Sequence, residues 1–212
     1  MNTKTLLAGH ISRGNTKLPG TTWIFNLGSS LVCPSEVLGL CQVINSGIRC
    51  YAQKAEKTYG GAKCTAYRER QTEIWATISP EDFALTVIDM NKRARMNKCK
   101  FFRFNESGDF WGQDCVDKME RIAHLLHEGG GIYTYTYTAR SDLNFDGCNH
   151  LTVNGSGFKV HNSYTVIDAE TFALSLQQGA GRESNTFFCV ANCDFCSACV
   201  HDRGLRIYAK QH

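Results

Sequence analysis

Four cysteines near the C-terminus form the most concentrated set of metal-binding side chains in this sequence. Cys189, Cys193, Cys196 and Cys199 follow the spacing Cys-x3-Cys-x2-Cys-x2-Cys, which places four thiols within eleven residues. Zinc sites usually join two Cys-x2-Cys pairs across a longer finger, whereas ferredoxins bind a cubane cluster through closely spaced cysteines. We therefore predict a 4Fe-4S cluster at these four cysteines, with zinc as the alternative.

A second group of three cysteines is spread over a longer stretch of the chain. Seven residues separate Cys33 from Cys41, and eight separate Cys41 from Cys50. Three thiolate ligands on a four-iron cluster would leave one iron without a protein ligand, and such an iron can bind the amino and carboxylate groups of S-adenosylmethionine. The alternatives are three separately buried thiols, or a zinc site completed by a fourth group such as Cys64.

The number and setting of the cysteines indicate metal ligands rather than disulfides. The chain has eleven cysteines in 212 residues, and the N-terminal residues 1–4 lack the apolar core of a signal peptide. Because thiols stay reduced in the cytoplasm, we expect the protein there. Four cysteines lie outside the two groups and are expected to be small buried apolar residues: Cys64, Cys99, Cys115 and Cys148.

The composition indicates one globular domain. Hydrophobic residues make up 42% of the chain and charged residues 20%, which is enough apolar material for one core. The net charge is only +3 and the densest basic stretch, 92–100, is short, so nucleic acid is not an expected partner. No apolar run approaches the roughly 20 residues of a membrane span. We divide the chain into an α/β unit at 1–183 and a cysteine-rich segment at 184–212 that packs on the same domain.

Strand and helix signals alternate along the chain. A polar N-terminal arm precedes the first strand, and a long loop after that strand carries Cys33, Cys41 and Cys50. The predicted elements are a strand at 21–27, helices at 51–59 and 79–95, a strand at 99–105, a helix at 113–128, strands at 132–138, 150–153 and 164–167, and a helix at 168–178. Such alternation predicts parallel strands joined by right-handed crossovers, as an open doubly wound sheet or a partial (βα) barrel of about five or six units. We favour the partial barrel, followed by the cysteine-rich C-terminal segment.

Three loops are expected to meet at the carboxyl ends of the parallel strands, where ligands bind in such folds. The cysteine loop follows the first strand, 106–109 follows the second, and 138–142 follows the third. In the third loop, Arg140 could bind a carboxylate or phosphate through two nitrogens, or form an ordinary salt bridge.

Two further sets of side chains have the types that sites require. His124 and His127 lie three apart on a predicted helix and could face one metal ion, but no partner motif accompanies them. Tyr133, Tyr135 and Tyr137 share one face of their strand, where we expect packing with the hydroxyls reaching water.

Several of these segments together resemble the gene product 88 family of phage proteins. The resemblance runs from about residue 17 onward, and Cys-Tyr-Ala at 50–52 is its most specific part. The matching segments are Phe25-Asn26-Leu27, Cys33-Pro34, Cys41, Cys50-Tyr51-Ala52, Lys54-Ala55-Glu56, Ser107-Gly108-Asp109-Phe110 and the terminal cysteine cluster. That family is itself similar in layout to radical SAM barrels, which carry three cysteines after the first strand.

The resemblance implies a phage origin, a location in the host cytoplasm and a cluster in the first loop. The radical SAM layout also implies that Asp109, after the second strand, contacts the methionyl amino group of S-adenosylmethionine. The leading hypothesis is an iron-sulfur protein with radical SAM-like chemistry on an unknown substrate. The alternatives are a non-catalytic cluster protein that carries electrons to a redox partner, senses redox state or serves phage assembly or host takeover, and a zinc-stabilised binding module. The wide spacing of the first three cysteines departs from the usual radical SAM pattern.

Overall fold

The protein is a mixed α/β structure built on one eight-stranded sheet. A computed structural model describes residues 3–41, 47, 50–58, 61–177, 185–190, 193 and 196–210. The strands are β1 (Ser12–Arg13), β2 (Thr22–Phe25), β3 (Phe101–Phe104), β4 (Tyr133–Thr138), β5 (Leu151–Ser156), β6 (Asn162–Ile167), β7 (Thr186–Cys189) and β8 (Arg206–Lys210). The helices are α1 (Thr3–Ala8), α2 (Pro34–Val37), α3 (Tyr51–Thr58), α4 (Ala62–Thr77), α5 (Pro80–Arg93), α6 (Gln113–Gly130), α7 (Ala169–Gln177) and α8 (Ala198–His201).

The sheet is mainly parallel and follows the chain order over most of its width. Its strand order is β1-β2-β3-β4-β5-β6-β8-β7, and within it β1 pairs antiparallel with β2 while the other pairs are parallel. From β2 to β6 each strand lies beside the next one in sequence, without the reversal of order that defines a doubly wound sheet. The predicted α/β class and the parallel pairing of its strands are confirmed.

One face of the sheet carries the apolar core. Successive side chains of a strand point to opposite faces, so Phe102 and Phe104 of β3 share a face, which they occupy together with Phe25 of β2. All three are fully buried, and Phe83 of α5 packs edge-on against Phe25 at 5.1 Å between ring centroids. Helix α6 adds five buried residues to this face: Val116, Met119, Ile122, Ala123 and Leu126.

The opposite face is polar and is covered by the C-terminal segment. Asn154 lies on this face because it pairs in register with Tyr137, and its side-chain amide donates to the carbonyl of Cys199 at 3.0 Å. The hydroxyl of Thr152 donates to the carbonyl of Val200 at 2.7 Å. These bonds hold α8 against β4 and β5, and therefore bring the C-terminal cysteines onto the sheet.

Most of the predicted elements occur at the expected places. Helix α5 begins after Ser79, whose hydroxyl accepts from the backbone N–H of Asp82 at 3.1 Å, and α6 ends at Gly131 in a left-handed conformation. The boundary predicted at residues 183 and 184 touches the range 178–184, which lies outside the described residues. Strands β7 and β8 of the cysteine-rich segment belong to the same sheet as the rest of the chain.

Four helices were not predicted: α1, α4 and the four-residue helices α2 and α8. The segment expected to be a polar arm forms α1, where Leu7 is completely buried. Helix α4 buries Arg68 and Gln71 together with apolar residues, so its hydrophobic periodicity is weak. Among the described residues, no helix is long and apolar enough to cross a membrane.

Replacing Phe83 with Ala tests the core. We expect Phe83→Ala to lower the free energy of unfolding by about 3–5 kcal/mol, because the substitution leaves a cavity against the phenylalanines of β2 and β3. Leu85 on the same helix is 48% exposed, so Leu85→Ala is a matched control with an expected change of about 0.5 kcal/mol. Urea denaturation followed by circular dichroism measures both values, and equal losses would contradict the assignment of this face as the core.

Candidate metal centre

The loops after β2 and β3 meet closely, and a glycine permits the approach. The backbone N–H of Ser107 donates to the side-chain oxygen of Asn26 at 2.9 Å. Gly108 has a φ of 74°, and a Cβ atom there would lie 3.0 Å from the backbone nitrogen of Gly28. A side chain at Gly108 would therefore separate the two loops.

The buried carboxylate of Asp109 connects the first cysteine loop to the ends of β3 and β4. Its Oδ2 accepts from the hydroxyl of Ser35 at 2.5 Å and from the N–H of Ala139 at 2.9 Å. Its Oδ1 accepts from the hydroxyl of Thr138 at 2.7 Å and from the N–H of Phe110 at 2.8 Å. Burial raises the pKa of Asp109, although the four hydrogen bonds oppose this. Both oxygens thus have protein partners.

Cys33 lies beside this carboxylate and near a second cysteine of its group. Burial raises the pKa of the Cys33 thiol to about 12, and the neighbouring charges of Asp109 and Cys50 act in the same direction. Backbone N–H groups of Glu36 and Ser35, in the first turn of α2, donate to its sulfur and oppose the rise. A metal that binds here would have to displace a proton from Cys33.

Helix α3 begins directly after Cys50 and is held by a buried ion pair. Glu56 accepts from Arg68 at 2.6 Å, and both side chains are 6% exposed. Glu56 also accepts from the backbone N–H of Ser30 at 2.9 Å and from its hydroxyl at 2.5 Å. Since Ser30 lies three residues before Cys33, the ion pair fixes the two ends of the cysteine loop relative to each other. Cys41, between them, is half-buried, and its N–H donates to the carbonyl of Ser35 at 3.1 Å.

The C-terminal cysteines lie near one another on the polar face of the sheet. Burial raises the pKa of Cys193 to about 11, with further contributions from Cys199, Cys189 and Cys196. Each of these thiols is half-buried. The structure therefore brings the four predicted ligands into one region. In the part of the chain that the structure describes, no three cysteine sulfurs lie within 4.8 Å of one another.

An arginine and two tyrosines surround these thiols. The hydroxyl of Tyr137 donates to the sulfur of Cys199, and the guanidinium of Arg103 lies 5.0 Å from the centre of the Tyr137 ring. Burial disfavours the charge of Arg103, but Tyr135, Tyr137 and nearby acidic groups outweigh this and raise its pKa. Its Nε is buried and has no hydrogen-bond partner among the described residues. Tyr135 is 3% exposed, so nearly all of its side chain is packed.

Lys17 connects the surroundings of the two cysteine groups. Its ammonium lies 5.4 Å from the centre of the Tyr51 ring, and Tyr51 directly follows Cys50. Burial and the charge of Arg103 lower the pKa of Lys17, whereas Cys189 and Cys193 raise it. Sequence reasoning missed both Lys17 and Arg103. Arg103 had a signal, because it is the one charged residue in the aromatic strand Phe-Phe-Arg-Phe at 101–104.

Arg140 forms a two-point contact with a neighbouring acid. Its Nε and Nη2 donate to the two oxygens of Asp142 at 2.8 and 2.7 Å, and its Nη1 donates to the carbonyl of Phe110. The side chain is 6% exposed. The cofactor-binding roles of Asp109 and Arg140 stay predictions, and in this structure both side chains connect loops at the carboxyl ends of the strands.

Comparison with known proteins gives a family for this chain. A family model described as Gene product 88 matches residues 2–149. The chain belongs to the gene product 88 family. The match contains the three cysteines of the first group and ends before the C-terminal four, so the family region and the C-terminal cluster are separate parts of the sequence. No curated protein and no solved structure matches the chain.

Removing one partner of the buried ion pair should destabilise this gene product 88 protein. We expect Arg68→Met to cost about 3–5 kcal/mol of unfolding free energy, since Glu56 would remain as an uncompensated buried charge. Arg70→Met on the same helix is the matched control, because its pair with Glu73 is exposed and should contribute about 0–1 kcal/mol.

The double variant Glu56→Gln/Arg68→Met separates charge from packing. It should recover part of the loss, because neither charge remains unpaired. Chemical denaturation of the four proteins measures these values. If Arg68→Met and Arg70→Met were equally stable, the ion pair would not hold the cysteine loop.

Proposed function

We propose that this protein is a phage-encoded iron-sulfur protein of the host cytoplasm with one 4Fe-4S cluster at each cysteine group. The observation that carries the proposal is the gathering of Cys189, Cys193, Cys196 and Cys199 around a positively charged side chain. Four thiolates and an oxidised cubane carry a net negative charge, which is costly to bury without compensation. Arg103 supplies such a charge near the thiols, and its buried Nε has no hydrogen-bond partner in the described part of the chain.

The chemistry of the donors also fits a cluster. Thiolate ligands select zinc or iron-sulfur centres, so both metals remain candidates at the C-terminal group. A tetrahedral zinc ion with Zn–S bonds of about 2.3 Å needs sulfurs about 3.8 Å apart. In each set of three described cysteines, at least one pair of sulfurs lies more than 4.8 Å apart. A cubane spaces its thiolate ligands more widely than a single zinc ion does, which supports iron in this proposal.

The first group has a different role in this proposal. Cys33, Cys41 and Cys50 would hold a cluster with one iron free of protein ligands, and this cluster, once reduced, would supply the electron that cleaves S-adenosylmethionine. The protein side chains place this group beside the carboxyl ends of β2, β3 and β4, where Asp109 and Arg140 lie.

The course of the sheet supports a partial barrel. Consecutive parallel strands with right-handed crossovers place their helices on one face when the order runs in a single direction, as it does from β2 to β6. The other face then becomes the inside of a curved sheet, as in (βα) barrels. Arg103, Tyr135 and Tyr137 lie on this face with the C-terminal cysteines. We propose that the sheet curves around them in a radical SAM-like manner.

A non-catalytic cluster protein is the second candidate. Four cysteine ligands at the C-terminal group would close the coordination shell of a cubane, which suits electron transfer or redox sensing rather than substrate binding. The hydrogen bond from Tyr137 to the Cys199 sulfur is a contact of the type that adjusts cluster reduction potentials.

Iron content tests the ligand assignment. The protein reconstituted with iron and sulfide without oxygen should contain about eight iron atoms per chain, and Cys50→Ala and Cys196→Ala should each retain about four. Cys115→Ala is the matched control, because Cys115 is a half-buried cysteine outside both groups. Iron and sulfide analysis with the visible absorption spectrum measures the outcome. Full iron content in both variants would exclude these ligands, and zinc in place of iron would support the binding module.

Cleavage of S-adenosylmethionine tests the enzymatic part. The dithionite-reduced protein should form 5′-deoxyadenosine from S-adenosylmethionine, and Cys50→Ala should lose this activity, whereas Cys196→Ala should retain a measurable part of it. Chromatography of the products measures the yield. A protein with intact clusters and no 5′-deoxyadenosine would be the non-catalytic candidate.

A further inference from the structure

A second set of metal-binding side chains lies away from all the cysteine groups, on helix α6. Glu120, His124 and Glu128 are spaced four residues apart and therefore lie along one side of the helix. His150, just before β5, meets this side of the helix. The sequence suggested His124 with His127 as a metal-binding pair, but the structure brings Glu128 and His150 to His124 instead.

The distances among these side chains suit a single metal ion. His124, Glu128 and His150 each offer a ligand atom, and the three atoms lie within 4.8 Å of one another. Nδ1 of His124 is 3.3 Å from Nε2 of His150. Two imidazole nitrogens bound at about 2.0–2.1 Å to a tetrahedral zinc ion are about 3.3 Å apart, so these two rings already have the required separation.

Glu120 orients the second imidazole. Its carboxylate lies 3.1 Å from Nδ1 of His150 and also accepts from the backbone N–H groups of His150 at 3.0 Å and Leu151 at 2.8 Å. A carboxylate bonded to Nδ1 fixes the tautomer in which Nε2 has a free lone pair, directed here towards His124. Zinc sites often contain a carboxylate that is hydrogen-bonded to a histidine, which in turn binds the metal.

We propose that His124, His150 and Glu128 bind a divalent transition-metal ion, with zinc as the biological ion and Glu120 as the residue that positions His150. Two imidazoles and one carboxylate are ligands that zinc accepts, and they leave the fourth tetrahedral position open. Both imidazoles line a groove of about 480 Å³ that also contains Arg121 and Asn149. Water or a small anionic ligand can therefore reach the fourth position.

This site is independent of the iron-sulfur proposal, because it contains no thiol. Its ligands come from α6 and from the residue before β5, so a bound ion would connect the helical layer to the start of a central strand.

Zinc stoichiometry and cobalt spectra test the site in the full-length chain without a histidine tag. After equilibrium dialysis against zinc, His124→Ala and His150→Ala should each contain one zinc per chain fewer than the unmodified protein. Cobalt bound here should give visible ligand-field bands that these variants lose, whereas any thiolate-to-cobalt charge-transfer band should persist in them. His10→Ala is the matched control and should keep the full stoichiometry, because His10 contacts Leu6 and Tyr67 and none of the proposed ligands.

Two further variants keep the test independent of folding defects. Glu128 is exposed, so Glu128→Gln should fold normally and bind this zinc at least about 10-fold more weakly. Glu120→Gln should weaken binding by about 10–100-fold, because His150 loses its orienting carboxylate. Unchanged zinc content and affinity in Glu128→Gln and in both histidine variants would overturn the proposal and leave only a hydrogen-bonded histidine pair.

Discussion

The buried polar side chains on one face of the sheet need hydrogen-bond partners, and the rest of the structure depends on which groups supply them. Asn154 and Asn162 are completely buried there. The amide of Asn162 donates to Asn154 at 3.0 Å and to the carbonyl of Asp202 at 2.9 Å, while Asn154 binds the carbonyl of Cys199. An apolar cover would remove one hydrogen bond from each of these buried amides, at a cost of about 1–3 kcal/mol each. The C-terminal segment supplies the missing carbonyls.

This constraint also places the C-terminal cysteines next to the only cation of β3. Arg103 points to the polar face because Phe102 and Phe104 point to the core, and a shift of register by one residue would exchange them. Its guanidinium lies over the Tyr137 ring, and its positive charge opposes the rise that burial causes in the pKa of the Cys199 thiol. The same strand register therefore places the phenylalanines in the apolar core on one face and the charge of Arg103 on the other.

At the carboxyl ends of the strands, the structure uses polar residues to connect loops. Asp109 receives four hydrogen bonds from three separate segments, and Arg140 is held by Asp142 and the carbonyl of Phe110. Such a network has few free donors or acceptors and therefore gives the loops a defined geometry. Ser35, which lies between Cys33 and Cys41 in the sequence, connects the first cysteine group to this network through its bond to Asp109.

The sequence by itself determined the α/β class, the positions of five strands and four helices, the family and the two cysteine groups. These properties follow from local patterns: alternation in 133–138, the cap at Ser79 and the short spacing of the last four cysteines. Only the tertiary structure decided that Lys17 and Arg103 lie at those cysteines, and that Glu128 and His150 rather than His127 face His124. Residues far apart in sequence become neighbours through strand pairing and helix packing, and a local sequence pattern does not show those contacts.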